Sequence, residues 1–229
     1  MKRKRNIFPL MLLLTIANVL WVGAKESPIL TIDDFESNRN INLIGGLSGS
    51  WEKDPSDKKE YCTAEFVKDA RDGQRSSALK LKYKLTPQAY NGYYTKLNGT
   101  DVSPFTNLQF FIKGGVEFPS FFKIELKNHL NEVGSYMVSG IDKRWKKISI
   151  PLNKFRGISD FSRMAELVVV FEGSRLGHSS GEIYLDDLSF TASPKEYKKL
   201  LGAVQKRTAQ KQKELKKLFE KAHAGGRHG

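Results

Sequence analysis

The sequence predicts an all-β fold, a β-sandwich or jelly roll of many short strands, followed by one basic C-terminal helix. Short apolar segments recur between residues 29 and 190, and ALKLKYKL at 78–85 alternates apolar with basic residues, as a half-buried strand does. Gly, Pro, Asn and Asp separate the segments, as in NGTDVSP and KGGVEFP, which is typical of turns. The region shows no sustained amphipathic helical period.

The strand segments follow one another along the chain. They are ILTIDDF, ALKLKYKL, GYYTKLN, LQFFIK, FFKIELKN, VGSYMVSG, WKKISIPL, LVVVFEG and IYLDDLSF. NKFRGISDFSRMAE allows one turn of helix at most, and residues 37–62 are polar and glycine-rich, which predicts a long loop. The paired phenylalanines at 110–111 and 121–122, and Trp145, are expected in the core.

Residues 195–222 are predicted to form the helix, which Gly225 and Gly226 end. Its apolar seam has heptad spacing, with Thr208 and Lys211 breaking the middle: Tyr197, Leu201, Val204, Thr208, Lys211, Leu215, Leu218, Ala222. Three interpretations stay open. The helix is solvated, it forms a weak coiled coil with a protein partner, or it binds an anionic surface.

The N-terminus has the pattern of an export signal. MKRKR is a basic start, an apolar stretch follows, and Val22 and Ala24 are the small residues of a cleavage site. We therefore predict cleavage after Ala24 and a secreted or periplasmic protein; an uncleaved anchor is the alternative. This divides the chain into a signal peptide (1–24), a β-sandwich (25–193) and a basic helical tail (194–229).

The net charge of +13 is unevenly distributed. Most of the basic excess lies in residues 1–24 and 191–229, whereas residues 25–190 are nearly neutral. A nucleic-acid-binding fold is therefore not expected. The only cysteine, Cys62, excludes an intramolecular disulfide and is expected to be a small buried residue.

Two acidic groups flank the predicted sandwich. TIDDFES carries Asp34 and Glu36, and IYLDDLSF carries Asp186 and Asp187. The first and last strands of a jelly roll often lie side by side, so these carboxylates are expected to approach one another. They then need a cation, and Ca²⁺ prefers such oxygen ligands. The alternative is that each pair is solvated at a sheet edge and paired with a lysine.

Several of these motifs carry a resemblance to a known family. IDDFE, NLIGGLSGSW, DARDGQRSSALKLKY, RWKKISIPLNKF and IYLDDLSF occur in this order. Together they resemble the family 11 carbohydrate-binding modules and the related domain of complex I intermediate-associated proteins, within the galactose-binding-like jelly rolls. The resemblance covers about residues 30–190. It implies a structural calcium with Asp34, Glu36 and Asp186 as ligands; Asp187 is a weaker candidate, because strand alternation points it the other way.

The resemblance also implies a polysaccharide ligand, such as a β-glucan or an envelope glycan, on one sheet face. Sugar rings present flat C–H faces that stack on aromatic side chains. The candidate ligand-binding residues are Trp51, Tyr61, Tyr90, Tyr93, Tyr94, Tyr136 and His129. Tyr93 and Tyr94 are adjacent, so in a strand only one of them faces the core of the sandwich. Trp51 is equally a ligand platform or a loop anchor.

Catalysis is not expected from this sequence. It has no HExxH motif, and GLSGS lacks the last glycine of a nucleophile elbow. Together with the absence of these motifs, the resemblance implies a non-catalytic carbohydrate-binding module. The alternative function is an exported protein-interaction or assembly factor that uses the same fold and the heptad-like helix.

Overall fold

The computed structural model describes residues 27–71 and 74–224, and the predicted signal peptide lies outside them. Within these ranges the chain forms eleven strands, one 3₁₀ turn (Leu152–Lys154) and the C-terminal helix α1 (Pro194–Ala224). The strands are β1 Ile29–Asp33, β2 Ser48–Glu52, β3 Tyr61–Arg71, β4 Gln74–Lys84, β5 Tyr90–Thr100, β6 Asn107–Gly114, β7 Phe121–Asn128, β8 Val133–Ser139, β9 Lys146–Pro151, β10 Met164–Glu172 and β11 Ser180–Thr191.

The strands form two antiparallel sheets, which confirms the predicted jelly-roll sandwich. One sheet has the order β3-β4-β11-β6-β9, and β1 pairs with the second half of β11. The other sheet has the order β2-β5-β10-β7-β8. Alternating side chains of both sheets fill the core, with Phe110 from β6 and Phe122 from β7 each fully buried.

Three sequence expectations about burial and one about a loop are wrong. Phe111 and Phe121 alternate with buried neighbours, so they lie on the outer faces of their sheets and are partly exposed. Trp145 precedes β9 and is also partly exposed, with Lys113 Nζ 5.3 Å from its ring centroid. Residues 37–62 are not one loop, because they contain β2, and Trp51 therefore stands on a strand.

The junction between the sandwich and α1 is tightly specified. Ser193 and Glu196 form a capping box: the Ser193 hydroxyl accepts from the Glu196 backbone N–H (3.3 Å), and Glu196 Oε2 accepts from the Ser193 backbone N–H (3.3 Å) and hydroxyl (2.5 Å). Pro194 occupies the first helical position, where its missing N–H costs nothing. The Tyr197 ring packs on Phe105, with centroids 5.4 Å apart. The described part of the chain has no helix that combines the length and hydropathy needed to cross a bilayer.

Cys62 is a buried free cysteine, as expected. It lies on β3 and is part of the hydrophobic core. Burial raises the pKa of its thiol to about 12. The thiol is therefore protonated and unreactive at neutral pH.

Candidate functional site

A groove of ≈ 640 Å³ lies on the outer face of the five-stranded sheet. This volume is in the usual range of ligand sites. Side chains of four neighbouring strands line the groove: Trp51, Tyr90, Tyr94, Lys96, Lys123, Glu125, Lys127, Glu166, Val168, Val170 and Glu172.

Strand order gives the groove two chemically different walls. Val168 and Val170 on β10 form an apolar floor between β5 and β7. On one side, β2 and β5 supply the three aromatic rings; on the other, β7 supplies only charged side chains. Since residues i and i+2 of a strand share a face, the groove follows the direction of β10 from Glu166 to Glu172, about 20 Å.

Two aromatic rings lie across glycines of the neighbouring strand. Trp51 pairs with Gly92, where an added Cβ would lie 3.3 Å from the indole nitrogen. Tyr94 pairs with Gly49, where an added Cβ would lie 3.4 Å from the Tyr94 ring. Missing side chains thus give both rings room to lie over the backbone. Tyr90 adds a third ring, 5.9 Å from Trp51 between centroids and inclined at 58°.

The charged residues of the groove are ion-paired with one another. Glu166 binds Lys96 and also Lys127, the latter at 3.2 Å. Lys123 binds Glu172 and also Glu125, the latter at 3.0 Å. Three lysines and three glutamates therefore make a groove of zero formal charge that carries many hydrogen-bonding groups.

The groove contains three of the seven predicted ligand-binding residues: Trp51, Tyr90 and Tyr94. The others do not line it. Tyr93 is buried in the core, whereas Tyr94 lines the groove, so the prediction that only one of the two adjacent tyrosines faces the core is confirmed. Burial also raises the pKa of the Tyr93 hydroxyl. Tyr136 packs on core residue Phe155, with centroids 6.3 Å apart.

The last two predicted ligand residues lie elsewhere on the sandwich. Tyr61 is on β3, in the opposite sheet, and accepts a hydrogen bond from the Asn91 side chain at its backbone oxygen (2.6 Å). His129 is exposed just after β7, and its backbone N–H donates to the backbone carbonyl of Arg163 (3.0 Å).

Sequence reasoning missed the charged wall. Its signal was present in KIELK at 123–127 and in the glutamates that bracket LVVVF at 167–171. Alternation within both segments marks the outward positions. That Lys123 and Glu172 meet depends on the pairing of β7 with β10, which neither segment reveals alone.

The acids of β11 face an arginine. Arg71 Nε lies 2.9 Å from Asp186 Oδ2, and the same guanidinium binds Asp187. Asp187 has φ 50° at a β-bulge, where the register of β11 with β6 shifts. The expectation that alternation points Asp187 away from Asp186 is therefore wrong. Burial raises the pKa of Asp186, which the bond from Arg71 opposes.

The predicted calcium ligands do not form a ready cation site. Asp186 is held by Arg71. Asp34 Oδ1 accepts from the Glu36 N–H (3.1 Å), and Glu36 Oε1 accepts from the Ser77 N–H (2.8 Å). Among residues 27–71 and 74–224, no group of three or more acidic, histidine or cysteine side chains is placed to hold a metal ion. The described side chains do not by themselves assemble a calcium site, and calcium binding stays a prediction from the sequence.

A third acid of this region, Asp33, is buried with 2% of its surface exposed. Its Oδ1 accepts from the Phe35 N–H (2.9 Å), whereas Oδ2 has no hydrogen-bond partner among the described residues. Burial raises the pKa of Asp33 to about 6.

Comparison with known proteins agrees with this architecture. The family model of carbohydrate binding domain 30 matches residues 42–192. No curated protein matches the sequence.

Solved structures share the fold at low identity. The family 11 carbohydrate-binding module of the cellulosomal cellulase Lic26A-Cel5E of Clostridium thermocellum is 20% identical, with a TM-score of 0.55 over 75% of this chain and 97% of that chain. The family 11 module of Clostridium thermocellum in complex with a β-1,3-1,4-mixed-linked tetrasaccharide is 19% identical, with a TM-score of 0.57 over 72% and 96%. An exo-β-agarase is 12% identical, with a TM-score of 0.52 over 72% of this chain and 25% of that chain.

These matches confirm the jelly-roll fold and the resemblance to family 11 modules. The family model spans more than half of the chain and includes all the strands that line the groove. The chain therefore belongs to the carbohydrate binding domain 30 family.

Proposed function

We propose that the groove binds a neutral β-linked glucan, without catalysis. The observation that carries this proposal is the placement of three aromatic rings opposite a wall of hydrogen-bonding side chains in one groove. The fold is that of a Clostridium thermocellum module whose complex contains a mixed-linked β-glucan tetrasaccharide.

Each wall has a separate task in this proposal. Trp51, Tyr90 and Tyr94 stack on the C–H faces of successive sugar rings. Lysine ammonium groups donate to sugar hydroxyls, and glutamate carboxylates accept from them. A groove about 20 Å long suits an oligosaccharide segment of a polymer better than a single sugar.

The paired charges support a neutral rather than an ionic ligand. An acidic sugar would gain little attraction, because each groove lysine already has a glutamate partner. A neutral sugar gains hydrogen bonds to charged groups, which are stronger than bonds between neutral groups.

The same pairing argues against hydrolysis in the groove. A glycosidase needs one carboxyl group with a raised pKa, held in apolar surroundings, as general acid. Glu125, Glu166 and Glu172 each contact a lysine, so none of the three has the apolar surroundings that a general acid needs. This agrees with the family, whose carbohydrate-binding modules are non-catalytic.

Export, calcium stabilisation and a partner for the helix belong to the proposal as predictions. A cleaved signal would bring the module to polysaccharide outside the cytoplasm. The assembly-factor alternative needs a continuous helix seam, and exposed Thr208 and Lys211 interrupt it.

Affinity electrophoresis of the full chain through gels that contain soluble β-glucans tests the function. We expect at least one glucan to retard the protein. Trp51→Ala should weaken that retardation roughly tenfold, because a stacking surface is lost. Tyr184→Ala is the matched control, since Tyr184 is a partly exposed aromatic residue on the opposite sheet. A folded protein that no glucan retards, or equal effects of both variants, would contradict the proposal.

A further inference from the structure

The second half of α1 is exposed to solvent along its length, although Lys211 interacts electrostatically with Asp160 of the sandwich. Residues 205–220, named here the distal helix, are all exposed, whereas Tyr197, Leu200 and Val204 before them are partly covered. Sixteen helical residues extend about 24 Å. Burial against the described part of the protein therefore does not explain the apolar residues of this segment.

Those apolar residues lie on one face of the distal helix. Leu215 and Leu218 are 65% and 64% exposed, and exposed Phe219 is beside them at helical spacing. The segment also carries six basic and two acidic residues: Lys206, Arg207, Lys211, Lys213, Lys216 and Lys217, against Glu214 and Glu220. An apolar stripe with a strongly basic remainder is the pattern of a helix that lies in a membrane interface.

We propose that the distal helix binds a negatively charged lipid surface. Leu215 and Leu218 enter the boundary between headgroups and acyl chains, while the basic side chains contact lipid phosphates. Lys211 interrupts the apolar stripe, but its ammonium group can reach the headgroups on its long apolar stem. This binding is separate from the sugar groove and does not depend on the proposed glucan function.

Charge and seam composition disfavour a second copy of the helix as the occupant. A parallel or antiparallel pair would place Thr208 and Lys211 in the buried seam and bring two basic helices together. An anionic bilayer supplies both the opposite charge and an apolar layer, which a soluble acidic polymer does not.

A fluorescent label at two glutamines tests the proposal in the full chain. Gln212→Cys places an environment-sensitive label beside the apolar stripe, and Gln210→Cys places it on the opposite face. Cys62 will not compete for the label, because it is buried and protonated. Each label reports only the surroundings of its own position on the helix. If the apolar N-terminal segment bound the vesicles by itself, it would not distinguish position 212 from position 210. The probes are vesicles of phosphatidylcholine, with or without phosphatidylglycerol.

We expect a blue shift from the label at 212, but not at 210, on phosphatidylglycerol vesicles only. Leu215→Ser with Leu218→Ser should reduce vesicle binding at least tenfold, and Ala209→Ser should not change it. Lys216→Gln should reduce it about fivefold. Equal shifts at both positions, or on neutral vesicles, would overturn the proposal. The absence of any fluorescence shift on vesicles would also overturn it. So would a shift caused by raising the protein concentration alone, or a shift with polyglutamate but not with vesicles.

Discussion

The Asp33→Asn variant should be more stable than the wild-type protein at neutral pH. Asp33 is almost fully buried, and its Oδ2 has no hydrogen-bond partner in the described ranges of the chain. Ionising such a group costs free energy that the folded state does not recover. Asparagine keeps an oxygen for the Phe35 N–H while removing the charge.

The size of the effect follows from the pKa of Asp33, which burial raises from 3.8 to about 6. Between these values the folded chain holds a proton that the unfolded chain has released. The contribution of Asp33 to wild-type stability should therefore fall as the pH rises from about 4 to about 6 and stay low above that. Two pKa units correspond to about 3 kcal/mol, an upper limit for the variant because its buried amide also lacks partners.

Urea unfolding of both proteins across this pH range measures the effect. Asp186, whose pKa is also raised by burial, is present in both proteins, so the difference between the two curves reports Asp33 alone. The advantage of the variant should be near zero at about pH 4 and grow towards neutral pH. An advantage that does not change with pH, or a variant that is less stable at neutral pH, would refute the reasoning.

Two further substitutions test contacts within the sandwich. Arg71→Gln should destabilise the protein by roughly 3 kcal/mol, because buried Asp186 loses its cation. If Arg71 takes the place of calcium, added Ca²⁺ should raise the Tm of this variant more than that of wild type; equal shifts would show that calcium binds independently of Arg71. Gly92→Ala should cost about 1–3 kcal/mol, because its Cβ would lie 1.8 Å from the Val169 carbonyl oxygen. Gly202→Ala, which has nothing within 4 Å, is the control and should not lower the Tm; equal Tm values for both glycine variants would contradict this packing.

Alternation along the sequence predicted nine of the eleven described strands, but not β2 and β3, and the core expectations for Phe111 and Phe121 failed because alternation was not applied to them. It separated Tyr93 from Tyr94, because a strand turns successive residues to opposite faces. It did not predict the bulge at Asp187, since nothing in a pair of aspartates indicates a positive φ. The sequence therefore suggested a calcium cluster, whereas the structure shows Arg71 bound to Asp186 and Asp187. Arg71 was not considered because it is distant from both aspartates in the sequence.

The aromatic wall of the groove was only partly visible in the sequence. SGSWE is short and glycine-rich, so it resembles a loop, and only its pairing with β5 makes it a strand. The role of Gly92 as the surface beneath Trp51 depends on that same pairing between residues 41 positions apart. Local patterns determine which side chains point outward, but only the strand order determines which of them meet.

The mutual neutralisation of charges in the groove has a practical consequence for attachment. A site whose ammonium and carboxylate groups already compensate one another presents little field for dissolved ions to screen. The distal helix, with its uncompensated excess of lysine, depends on the very attraction that ions weaken. Raising the ionic strength should therefore release the protein from an anionic bilayer and leave it on its polysaccharide, so that salt alone selects between two modes of adhesion.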